Sequence, residues 1–216
     1  LNLDEILKAV QLELRKKEKV KTRAQDAMRK ATRLSKQAIL LVHQERFKEA
    51  RRLLTRAKRI IKGLNALSRE YPDIIYSGLF DVALQEYCEA NILFNLIRDA
   101  KFISPEELEV PCVAYVLGLA DVIGELRRVA LDSLRKGNVE AAEKSLERMD
   151  EVYTALMAMN DAYLLVPGLR RKCDVARRII ETTRGDVTLE ARRTSLEEHM
   201  RKFEKLVRRK GRGTKR

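Results

Sequence analysis

The sequence has no tryptophan, and aromatic residues fill only 5% of its 216 positions; four prolines and nine glycines are few for that length. This profile speaks against an all-β fold, which needs frequent turn residues and aromatic strands, and favours long helices. The three cysteines, Cys88, Cys112 and Cys173, are odd in number and lack C-x-x-C spacing. They support neither a disulfide framework nor a zinc site, and they fit a reducing cytoplasm. The two histidines are His43 and His199. A ferritin-like di-iron bundle requires Glu-x-x-His on its helices, which is absent. His43 sits in an apolar stretch and reads as a core residue. No Ser-His-Asp or Cys-His constellation and no Gly-rich phosphate loop is present. No apolar run approaches the roughly 18 residues of a transmembrane helix, so no membrane-spanning segment is expected. The opening Leu-Asn-Leu-Asp has no basic segment leading into an apolar one, which argues against a signal peptide. Beginning on Leu rather than Met, it reads as trimmed.

What is present in excess is positive charge. Lys and Arg number 45 against 32 Asp and Glu, a net charge of +13 with a pI near 9.8. Such a balance points to a polyanionic partner, nucleic acid first and an acidic membrane surface second. The plainer alternative is a helical protein whose charge only keeps it in solution.

Read in order, the chain is a succession of helices. Residues 3–45 carry Leu3, Ile6, Leu7, Val10 and Leu14, then Ala24, Met28, Ala31, Leu34, Ala38 and Leu41, at helical spacing. Between Arg15 and Lys36 stand ten basic and two acidic residues. A second helix over 46–69 has eight basic residues from Arg46 to Lys62 against the single Glu49, and ends near Tyr71-Pro72. After a connector at 73–78, residues 79–102 form a helix apolar on nearly all sides, the mark of a central element. Ser104-Pro105-Glu106-Glu107 is a helix-start signal. Helices follow over 113–136, ended by Gly137-Asn138, over 139–165, ended by Pro167-Gly168, and over 169–207 with an interruption at Arg184-Gly185-Asp186. The fold class is therefore all-α, with about six to seven helices in one domain over residues 1–207. A basic tail, 208–216, has nothing apolar to dock and is expected to be disordered.

The charges are segregated. From Gly78 to Glu125 there are nine acids, and the only bases are Arg98 and Lys101. Glu86 and Glu89 lie three apart, and Asp121 and Glu125 four apart, so each pair shares one side of its helix. Glu86 and Glu89 fall in line with Val82, Leu93 and Leu96, which predicts that they are at least half-buried. A buried carboxylate raises its pKa or finds a cation. Asp121 and Glu125 share their side with Ala114, Gly118 and Gly124, small enough for another helix or a substrate backbone to come close. If the two helices pack antiparallel, four carboxylates and water would offer an oxygen-rich site for Mg2+ or Mn2+. The bland alternative is that these pairs sit on solvated faces or bind basic neighbours.

Two segments carry a family resemblance. Leu84-Gln85-Glu86-Tyr87-Cys88-Glu89-Ala90 resembles the Q-E-Y-x-E-A segment of the translin superfamily, in particular its translin-associated factor X (Trax) branch. Residues 115–126, Y-V-L-G-L-A-D-V-I-G-E-L, are similar to that family's Y-L-L-G-x-x-D-x-x-G-E-L. Leu169-Arg170-Arg171-Lys172-Cys173-Asp174 resembles the opening of its last long helix. The resemblance implies an all-α bundle assembling into a hollow homo-octamer with RNA held inside, single-stranded or short duplex, and single-stranded DNA as a second ligand. It implies a cytoplasmic Mg2+-dependent endoribonuclease, with Mn2+ as the alternative ion. The family's catalytic acids map onto Glu86, Glu89 and Asp121, and Glu125 onto a supporting acid, so all four are expected as catalytic and metal-binding residues. The alternative is a non-catalytic translin-like protein that binds RNA or single-stranded DNA. The Arg/His cluster by which translin binds nucleic acid has no clean counterpart, which leaves the basic runs at 15–36 and 46–62 for that role.

Overall fold

In a computed structural model, which describes residues 2–159 and 162–213, nine helices and no strand are found among the described residues. They are α1 (Leu3–His43), α2 (Phe47–Leu67), α3 (Pro72–Ile75), α4 (Gly78–Asp99), α5 (Pro105–Leu108), α6 (Cys112–Arg135), α7 (Val139–Met157), α8 (Ala162–Leu165) and α9 (Leu169–Gly213). The all-α expectation stands; the higher count comes from α3, α5 and α8, of four residues each. The chain divides into two compact units, residues 1–122 with 161–169 and residues 123–160 with 170–216. The division falls inside α6, a helix whose sequence shows no break.

In the first unit α1 packs against α2 and α4. Asn2 starts α1 through a capping box with Glu5, each side chain bonding the other's backbone N–H. The α1–α2 turn is a Schellman motif without glycine. Glu45 takes φ 60°, its N–H donates to Val42 O at 2.9 Å and the Arg46 N–H to Leu41 O at 2.9 Å. α4 buries eleven of its 22 residues, among them Phe80, Tyr87, Ile92 and Leu93, which makes it the central helix of this unit. The N-terminal stretch of α1 is different: Leu3, Ile6, Leu7, Val10 and Leu14 are all exposed.

The second unit is tied by arginines. Arg184 of α9 holds both Asp150 oxygens on α7 at 2.8 and 2.9 Å. Arg127 of α6 donates to Thr183 Oγ1 at 2.7 Å, to Ile179 O at 3.4 Å and to Asp186 Oδ2 at 3.3 Å. These contacts straddle Gly185, where an interruption is expected and none occurs. The reason lies in the buried stripe Cys173, Ala176, Ile180, Thr183 and Val187, whose steps of three and four run straight through the glycine. One Gly costs a helix about 1 kcal/mol, less than this stripe and the Arg127 contacts return. α7 ends at Met157 rather than continuing to 165; Met159 N bonds back to Leu156 O in a closing turn, and residues 160 and 161 lie outside the described residues. α9 runs to Gly213, into the stretch expected as a tail, because a Lys/Arg/Glu-rich sequence is itself helix-forming. Residues 214–216 lie outside the described residues.

Candidate carboxylate site and its basic groove

Gly118 decides how α6 meets α4. A Cβ there would stand 2.7 Å from Cys88 Cβ, 2.8 Å from Gln85 O and 3.0 Å from Glu89 N. Only a residue with no side chain permits that approach. The contacts descend α4 as they ascend α6. Tyr115 Oη donates to Ile103 O at 2.8 Å, Gly118 meets Cys88, and Gln85 Nε2 donates to Asp121 Oδ2. The two helices are therefore antiparallel, the arrangement on which a shared carboxylate site depends. Gly124, by contrast, has open space around it and is no packing position.

Glu86, Glu89 and Asp121 are each half-buried in the first unit, as their apolar neighbours predict. Glu86 is 18% exposed and accepts from Lys36 Nζ of α1 at 3.0 Å, a lysine that is itself 63% exposed. The Glu86 carboxylate, with Glu89 behind it, pushes the Lys36 ammonium above its ordinary pKa. Asp121 is held by the Gln85 amide. Glu125 is half-buried in the second unit, four residues past Asp121 on the same helix. The structure thus brings the α4 pair and Asp121 to one helix contact. Among the described residues, however, no group of three or more His, Cys, Asp or Glu converges as a metal cage.

The donor set nonetheless fits a hard divalent cation. Three carboxylates and the Gln85 carbonyl are all oxygen donors, the kind Mg2+ and Mn2+ take, and they sit on rigid helices. One cation, the Lys36 ammonium, already engages Glu86 in this arrangement.

Lys36 also belongs to a groove of about 480 Å³ lined by Arg29, Arg33, Lys36 and Gln37 of α1 with Leu79 and Val82 of α4. The groove has a largely apolar surface edged by three bases, of which Lys36 reaches Glu86. Sequence reasoning missed Lys36, which lies fifty positions before Glu86; only the charge of its run hints at it. Gln85 was visible only as part of a family segment. Cys88, beneath Gly118, is not a nucleophile here: burial pushes its thiol up to about 12. His43 closes α1 half-buried rather than in the core, and His199 is exposed, its Nδ1 2.7 Å from Ser195 O. No helix among the described residues is long and apolar enough to cross a membrane.

Comparison with known proteins agrees with this picture. The family model described as "Translin family" matches residues 19–207. An uncharacterized protein of Methanocaldococcus jannaschii is 37% identical over 145 residues, 67% of this chain. The match spans 64% of that relative's length. Among solved structures, AfC3PO is 35% identical with a TM-score of 0.77, over 86% of this chain and 96% of that one. AfC3PO in a duplex RNA complex is 34% identical with a TM-score of 0.75, over 86% and 96%. Apo-NeC3PO is 28% identical with a TM-score of 0.77, over 85% and 96%.

Proposed function

The chain belongs to the translin family, and from that premise we propose that it binds RNA and cleaves it as a Mg2+-dependent endoribonuclease of the Trax-like branch. The observation that carries this reading is the close approach of α6 to α4 at Gly118, which sets Asp121 against the helix of Glu86 and Glu89, beside a groove edged by Arg29, Arg33 and Lys36. The similarity to AfC3PO, a protein whose structure is known with duplex RNA, supports RNA as the polyanion.

In this proposal Arg29, Arg33 and Lys36 take successive phosphates and set the register of the RNA, so sequence preference is low and binding falls with salt. Glu86, Glu89 and Asp121 would hold the cation, with Glu125 as the supporting acid. Mg2+, or Mn2+ in its place, supplies a water of lowered pKa and neutralises charge on the phosphoryl group. The chain's own part is orientation. Gln85 fixes the Asp121 carboxylate, and Gly118 keeps α6 close enough for Asp121 to face α4. Assembly as a homo-octameric shell in the cytoplasm, with RNA or single-stranded DNA inside, belongs to the same proposal. The exposed apolar residues at the start of α1 are surface that such assembly could cover.

A second reading, a non-catalytic RNA-binding protein, is favoured by the engagement of Glu86 with Lys36 and of Asp121 with Gln85. One experiment separates the two: labelled single-stranded and short duplex RNA incubated with Mg2+, Mn2+, Ca2+ or EDTA. Wild-type protein should bind in all four and cut in Mg2+ or Mn2+. Glu86→Gln, Glu89→Gln and Asp121→Asn should bind but not cut. Wild-type cleavage by all three variants would overturn the site. Binding without any metal-dependent product from wild-type protein establishes the second reading.

A further inference from the structure

α4 has a second functional side. At 100° per residue, Tyr87, Asn91 and Phe94 lie well away from the line of Glu86 and Glu89. They close, with α2, a cavity of about 370 Å³, a size usual for small-ligand sites. Its apolar surface comes from Leu54, Phe94 and Ile103, and its rim carries Arg51, Lys58, Arg59 and Lys62. No carboxylate lines it. We propose that this cavity is a nucleotide pocket, taking a nucleoside 5′-phosphate, either free or as the end of an RNA strand.

Three features fit that ligand together. The rim lysines are held in place: Glu109 accepts from Lys58 at 3.0 Å and from Lys62 at 3.3 Å, and Glu107 O accepts from Lys58 at 3.1 Å. Each ammonium has three hydrogens, so phosphate oxygens can share the lysines with Glu109. Arg51 lies over the Phe94 ring, 5.9 Å from its centre. That contact fixes a planar cation at the mouth, a surface on which a base can stack. Finally, Asn91 Nδ2 donates to Tyr87 O at 2.7 Å and Asn95 Nδ2 to Asn91 O at 2.8 Å. Each NH2 spends one of its two hydrogens on α4, so both amides still offer a base edge one N–H donor and a carbonyl acceptor. A donor beside an acceptor suits the edge of any base, so the amides contribute to base binding without choosing among bases. The pocket does not depend on the cleavage reading, since no carboxylate of that site lines it.

The test is calorimetric titration of the full chain at low salt with AMP, UMP, adenosine and inorganic phosphate. AMP and UMP should both bind more tightly than adenosine or inorganic phosphate. Arg59→Glu, an exposed substitution that the fold should tolerate, should weaken AMP at least tenfold. Asn95→Leu should weaken AMP and UMP alike, several-fold. Glu109→Gln, which releases two lysines, should tighten AMP several-fold. Glu86→Gln should bind AMP as wild type does even where it loses cleavage, so the two proposals fail separately. An advantage of 5′-phosphorylated over 5′-hydroxyl RNA that Arg59→Glu removes identifies the strand end as the source; equal binding of the two RNAs, with AMP retained, identifies the free nucleotide. AMP binding that is absent at millimolar concentration, or that neither Arg59→Glu nor Asn95→Leu changes, overturns the pocket.

Discussion

Gly118 of α6 stands so close to Cys88 of α4 that a single added carbon would come within 2.7 Å of the Cys88 Cβ. Its other neighbours, Gln85 O and Glu89 N, are backbone atoms of a central helix and cannot swing aside. Gly118→Ala should therefore push the helices apart and destabilise the protein by about 1–3 kcal/mol, a fall in Tm of roughly 3–10 °C. Because the same shift draws Asp121 away from α4, binding of Mn2+ followed by electron paramagnetic resonance should weaken as well. An unchanged Tm would show that the contact is looser than described.

Gly185 gives the opposite prediction. It lies inside α9 with ordinary helical geometry and open space around its missing Cβ. Gly185→Ala should stabilise the second unit by about 0.5–1 kcal/mol, because alanine loses less freedom on entering a helix. Denaturant titration reads this directly; a loss of stability would mean that the glycine serves another purpose.

The Lys36–Glu86 pair should compete with a divalent ion. Lys36→Met removes the resident ammonium, so Mn2+ should bind several-fold more tightly to the variant. RNA binding should weaken at the same time, because a groove cation is lost, and its salt dependence should flatten by about one phosphate contact. Weaker Mn2+ binding in the variant would mean that Lys36 assists the ion rather than competing with it.

Glu109 predicts an acid-side effect. Hydrogen bonds from Lys58 and Lys62 hold its carboxyl below the ordinary value of 4.5. A depressed folded-state pKa contributes stability that is present above the unfolded value and is lost as pH falls through the folded one. The stability difference between wild type and Glu109→Gln should be constant from neutrality down to about pH 4.5 and vanish below that. A difference that persists at pH 2 would exclude an electrostatic origin.

How much of this could be read in advance differs residue by residue. The long helices follow from apolar spacing, and the half-burial of Glu86 and Glu89 from Leu93 and Leu96 on the same line, although Val82 on that line is exposed. The antiparallel meeting of the two acidic helices was a condition, not a deduction, since no local pattern says which backbone Gly118 will touch. Lys36 was illegible for a similar reason: one lysine among ten bases is singled out only by what packs opposite it. Gly185 was misread because a local breaker was weighed alone, although the stripe from Cys173 to Val187 continues across it. Glu45 gave no signal at all. Nothing in a glutamate announces a left-handed turn, and here it occupies the place a glycine ordinarily fills.

The three thiols make the molecule its own reporter. Cys112 is exposed, whereas Cys88 lies buried in the first unit and Cys173 in the second. An alkylating reagent should modify Cys112 at once and reach the other two only when their surroundings open. The lag at Cys88 then times the parting of α4 from α6, and the lag at Cys173 times the loosening of α9. Peptide mapping of one labelling course would give two independent clocks, without a single substitution in the sequence.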